Sequence, residues 1–64
     1  MQGLKKLAKK WAIEYFNRYD DCDKAIKGAK NFIEGYYRAM TGKEIPEDFL
    51  NELENQLRKE LDCL

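Results

Sequence analysis

Apolar residues in this 64-residue chain recur every three or four positions, and nowhere do they alternate as a half-buried strand requires. That pattern restricts the fold to helices. In the first stretch Leu4, Ala8, Trp11, Tyr15 and Tyr19 share one helical face, widened by Leu7, Ala12 and Phe16. Ile13 falls on the opposite side, among Lys6, Lys9 and Lys10. In the second stretch the stripe is Cys22, Ile26, Ala29, Ile33, Tyr36 and Met40. Beside it runs a second seam, Ala25, Gly28, Phe32, Gly35 and Ala39. A helix apolar on two adjacent faces is expected to touch two neighbours. The third stretch carries a narrower stripe, Leu50, Leu53, Leu57, Leu61 and Leu64.

Two breaks separate these stretches. Asp20-Asp21-Cys22-Asp23 ends the first and opens the second, because an aspartate carboxylate accepts the orphan N–H groups of a helix start. Gly42 suits the left-handed residue that closes a helix. Pro46 suits the first turn of the next helix, and Ile45 can fold back on Phe49 or Leu50 as a hydrophobic staple. Short connections make successive helices antiparallel. The expected architecture is all-α, a single up-down-up three-helix bundle covering 1–64 as one domain. Its helices are predicted at about 3–19, 21–41 and 46–63. Gly28 and Gly35 each cost roughly 1 kcal/mol against alanine inside a helix. Their shared seam predicts close approach of a helix carrying bulky groups such as Trp11 and Phe16.

A core this small contributes little net stability, so a covalent staple would matter. Cys22 and Cys63 are the only cysteines, and they lie nearly symmetrically about the Gly42 turn. A hairpin of the second and third helices brings both to one end. One disulfide or two free thiols are both compatible with that placement. Cys22 lies on the main stripe and is expected to be buried. Cys63 lies off the leucine stripe, in a last turn that can fray.

Charge is balanced overall, with 12 basic and 12 acidic residues, but not along the chain. Residues 1–19 hold five bases and one acid, a net +4; residues 43–64 hold three bases and seven acids, a net −4. In an up-down-up bundle the first and third helices run parallel. The N-terminal lysines are then expected level with Glu44, Glu47, Asp48 and Glu52, which would fix register more than stability. The lysines also oppose the dipole of their own helix. Lys6, Lys9, Lys10, Ile13 and Asn17 therefore form a candidate partner face, basic with one apolar contact.

Catalytic and cofactor chemistry finds no support. The chain has no histidine, the commonest catalytic base and metal ligand. A cysteine nucleophile at Cys22 would lack a base and face Asp20, Asp21 and Asp23. Gly42-Lys43 is not a phosphate loop, since Glu44 follows the lysine and no strand precedes it. Asp21-Cys22-Asp23 does not open a calcium loop, because Ile26 and Phe32 occupy the positions that need glycine and glutamate. The pair Asp48 and Glu52 reads as a solvated helix face. No catalytic residue, cofactor or metal site is expected.

Trp11, Tyr15, Tyr19, Tyr36 and Tyr37 could stack nucleic-acid bases beside Lys5, Lys6, Lys9, Lys10, Lys24, Lys27 and Arg38. Zero net charge argues against it, and most of these rings lie on core stripes. The chain has no run of eighteen apolar residues, no signal-peptide pattern, Gln2 where myristoylation needs glycine, and Cys63 two places too late for prenylation. A soluble chain without a membrane span is expected, with no compartment indicated. A monomer is favoured over a dimer. The expected function is non-enzymatic: a protein-interaction or scaffold module, either natural or an engineered mini-protein without biochemical activity. The alternative is a small regulatory protein binding nucleic acid or an acidic partner through the basic face of its first helix.

Overall fold

A computed structural model describes residues 2–63. Three helices follow one another: α1, Gln2–Tyr19; α2, Cys22–Thr41; and α3, Glu47–Glu60. Among the described residues there is no strand. Helix α1 runs antiparallel to α2, as Trp11 meets Phe32 and Tyr15 meets Gly28. Helix α3 runs antiparallel to α2 in turn, as Lys30 meets Glu54 and Asp23 meets Arg58. The up-down-up bundle expected from the periodicity is the observed fold.

Local chemistry sets the ends. The N–H of Asp20 donates to the carbonyl of Phe16 at 2.7 Å, and Asp20 itself adopts a left-handed φ of 52°. Aspartate tolerates that conformation better than most residues. Asp21 follows as an extended cap whose carboxylate accepts from the Lys24 N–H at 3.1 Å. The α1–α2 turn is thus two aspartates with opposite tasks. At the far end of α2, Gly42 takes φ 70° and donates to the Arg38 carbonyl at 2.8 Å. Pro46 caps α3 from an extended conformation, and Ile45 and Phe49 both enter the core.

The end of α3 departs from the expected 46–63. The helix stops at Glu60, because Asp62 turns left-handed at φ 58°. Asp62 N–H donates to Lys59 at 3.1 Å and Cys63 N–H to Arg58 at 2.7 Å. These two bonds are the Schellman pattern, which reverses the chain and satisfies the last carbonyls. Instead of fraying, Cys63 folds inward and is buried, while Cys22 is half-buried. Leu64, the last residue of the predicted stripe, lies outside the described residues.

The fully buried centre is small-residue on one side and aliphatic on the other. Ala8 and Ala12 from α1 meet Ala25, Ile26, Ala29 and Ile33 from α2, with Ile45, Phe49, Leu53 and Leu57 from the third segment. Alanines at the α1–α2 contact let the two backbones approach. Phe49 of α3 is buried, but the aromatic rings of α1 and α2 are half-buried or exposed, and Trp11, Phe32 and Tyr37 pack against the core from its edge. Trp11 and Phe32 have centroids 4.8 Å apart, and Tyr15 and Tyr36 extend the row at 5.9 and 6.2 Å.

Only one of the two seam glycines makes a close contact. A Cβ on Gly28 would sit 3.1 Å from the Tyr15 ring, whereas one on Gly35 would meet nothing within 4 Å. The residue in the Gly28 notch is Tyr15 rather than Trp11 or Phe16. The main stripe of α2 also runs out: Tyr36 and Met40 are exposed.

Candidate functional site

The predicted partner face lies on the outer side of α1, with Lys6 and Lys9 at its border in a shallow cleft shared with Gln56 and Glu60 of α3. Lys6, Lys9, Lys10, Ile13 and Asn17 are all exposed. Ile13 is 42% exposed, large for a β-branched apolar side chain. Helical spacing explains the grouping: Lys6, Lys10, Ile13 and Asn17 step by four, three and four. Lys9 stands at the edge and bonds Glu60 of α3 at 3.0 Å. Among the described residues, Lys6 and Lys10 have no carboxylate within ion-pair distance.

The expected charge register between α1 and α3 is corrected. The lysine that reaches α3 pairs with Glu60 at its end, not with Glu44, Glu47, Asp48 or Glu52 at its start. Glu44 instead bonds Arg38 of α2 at 3.2 Å. The acids of α3 are shared between both neighbours.

The densest ionic cluster lies between α2 and α3. Lys30 donates to Glu54 at 2.7 Å, and Arg58 bridges Glu54 at 3.2 Å and Asp23 at 3.3 Å. The hydrogen bond from Lys30 and the Arg58 guanidinium hold the Glu54 carboxyl below its usual range, against the opposing effect of partial burial. The same contacts, Glu54 first and Asp23 second, hold the Arg58 guanidinium above its ordinary value. All four groups satisfy one another, which is the arrangement of a structural tie.

At one end of the bundle, Cys22 and Cys63 stand at disulfide-bonding distance, with Cα atoms 6.1 Å apart. That separation lies within the range a disulfide requires. At the opposite end, the start of α1 and the end of α2 leave an apolar groove lined by Leu4, Leu7, Tyr36, Tyr37 and Met40, with a volume of about 360 Å³. The sequence pattern placed Leu4, Tyr36 and Met40 on core stripes, so this groove was not foreseen. A stripe of apolar residues carries no signal for this groove, because it does not mark where the cover of a neighbouring helix ends.

Among the described residues no group of three or more histidine, cysteine, aspartate or glutamate side chains is placed to hold a metal ion. No described helix is long and apolar enough to cross a membrane. Comparisons with protein-family profiles, with curated protein sequences and with solved structures found no match.

Proposed function

We propose that this chain is a non-enzymatic interaction module that binds an acidic protein segment through the outward face of α1. The observation that carries this reading is a charge imbalance on an exposed surface. Residues 1–13 hold four lysines and no acid, and two of those lysines flank the exposed Ile13 without a carboxylate partner. An acidic partner supplies the counter-charge, and Ile13 supplies a desolvated contact at its centre. Charge complementarity of this kind acts mostly on encounter rate and orientation. The rival is a stable scaffold with no partner.

A titration separates the two. The probe is a labelled 20-residue peptide rich in glutamate and aspartate, read by NMR shifts at low salt. Shifts at Lys6, Lys10, Ile13 and Asn17 that fade with added salt are the expected result. Ile13→Glu should abolish them and leave the melting temperature unchanged. Absence of any shift at low salt removes the reading. Loss of stability in Ile13→Glu would make Ile13 a packing residue instead.

A further inference from the structure

We infer that the groove at the open end of the α1–α2 pair is the apolar anchor site of that interaction, and that its occupant is an acidic amphipathic helix. The inference rests on the proposed binding of an acidic segment and adds where that segment anchors and in what form.

The groove has the composition of a protein contact rather than of leftover surface. Met40 is 69% exposed and Tyr36 40% exposed, side by side with half-buried Leu4, Leu7 and Tyr37. Methionine and tyrosine are enriched at protein interfaces, because one repacks easily and the other covers area at low entropic cost. The volume of about 360 Å³ is at the small end for a ligand pocket and admits two or three side chains.

The rim decides the charge of the occupant. Lys6 and Lys10 lie one helical turn along α1 from the groove residues Gly3 and Leu7. On the other side, the N–H of Lys43 donates to the hydroxyl of Thr41, a groove residue, at 3.1 Å. Glu44, next to Lys43, is already paired with Arg38 at 3.2 Å. A partner with apolar residues toward the groove and carboxylates on its flanks matches both features. Lys6 and Lys10 are then shared between the groove and the Ile13 face.

Backbone chemistry decides the form of the occupant. Both walls are helices, whose unpaired N–H and C=O groups are confined to the first turn of α1 and the last turn of α2. Neither offers a sheet edge to an extended peptide. A helix arrives with its own backbone satisfied and presents side chains at i, i+3, i+4 and i+7, the usual helix-in-groove mode. An anionic membrane is a poorer match, because Leu4, Leu7 and Tyr37 are half-buried in the recess.

The test uses the intact oxidised chain and three synthetic helical peptides. One carries leucines at i, i+3 and i+7 with glutamates on both flanks. The second keeps the glutamates and replaces the leucines by serine. The third keeps the leucines and replaces the glutamates by lysine. The first peptide should shift the methyl signals of Leu4, Leu7 and Met40 and the ring of Tyr36. It should bind at least tenfold more tightly than the second, and the third should not bind. Met40→Glu should weaken the first peptide about tenfold or more without moving the melting temperature, since Met40 is largely exposed. Ile13→Glu should leave the groove shifts in place.

Equal binding of the first two peptides, with shifts confined to Ile13 and Asn17, would overturn the groove while the acidic-segment reading stands. Silence with both acidic peptides would remove both. Binding of the lysine peptide would overturn the inference in favour of unselective apolar adhesion.

Discussion

The two helix pairs of this bundle are held by different physics. Between α1 and α2 the contact is close and apolar: alanines at the centre, Tyr15 in the Gly28 notch, and a row of aromatic rings along the outside. Among the described residues no ion pair joins these two helices. Between α2 and α3 the apolar contribution is a narrow aliphatic stripe. It is supplemented by Lys30–Glu54, Arg58–Asp23 and the Cys22–Cys63 link. The contrast follows from the side chains available. Where large rings cover a seam of small residues, buried area supplies the attraction. Helix α3 carries only Leu53 and Leu57 fully buried, and there charge and the Cys22–Cys63 approach at disulfide-bonding distance add what area does not.

The largest effect should come from cutting the Cys22–Cys63 tie. Cysteine-to-alanine exchange at both positions, or reduction, opens a loop with a sequence separation of 41. In the chain-entropy model that costs about 4 kcal/mol. The α2–α3 pair should loosen first. Amide exchange would show it as faster exchange through α3 than through the α1–α2 contact. Uniform exchange in all three helices, or an unchanged melting temperature under reductant, would erase the distinction between the pairs.

A smaller effect tests the apolar pair. Gly28→Val forces branched atoms into the Tyr15 ring and should cost about 1–3 kcal/mol in denaturant unfolding. Gly35→Ala meets nothing and should stabilise by roughly 0.5–1 kcal/mol through helix propensity. Equal responses at the two glycines would mean that Tyr15 does not hold α1 in its register.

The smallest effect belongs to the ionic tie. The folded Glu54 carboxyl lies below its unfolded value, so its contribution is fully present above that value, about 4.3. It is lost as pH falls through the lower folded value. Because Glu54 is about one-third exposed, solvent screens the pair, and Glu54→Gln should cost no more than about 1 kcal/mol at neutral pH. The difference between the variant and the parent should vanish in melts at low pH. A difference that persists in acid would assign the effect to packing.

Much of this architecture was legible before any coordinates. Gly42 as the closing residue of α2, an aspartate of the 20–23 break as the cap that starts it, and Ile45 with Phe49 in the core all follow from residue type and spacing. The candidate face was legible too, since Lys6, Lys10, Ile13 and Asn17 step regularly around α1. The left-handed turn at Asp62 was not, because aspartate permits that conformation without demanding it. Nor was the groove, because a stripe of apolar residues does not say where its partner helix ends.

What the sequence determined alone was therefore local: three helices, their caps, and the reversals between them. Each depends on hydrogen bonds and dihedral preferences within about five residues. What only the tertiary structure decided was which glycine is filled, which acid Lys9 reaches, how Cys63 turns inward, and which apolar residues stay bare. Those outcomes depend on the volumes and lengths of segments far apart in the chain, and packing alone brings them together.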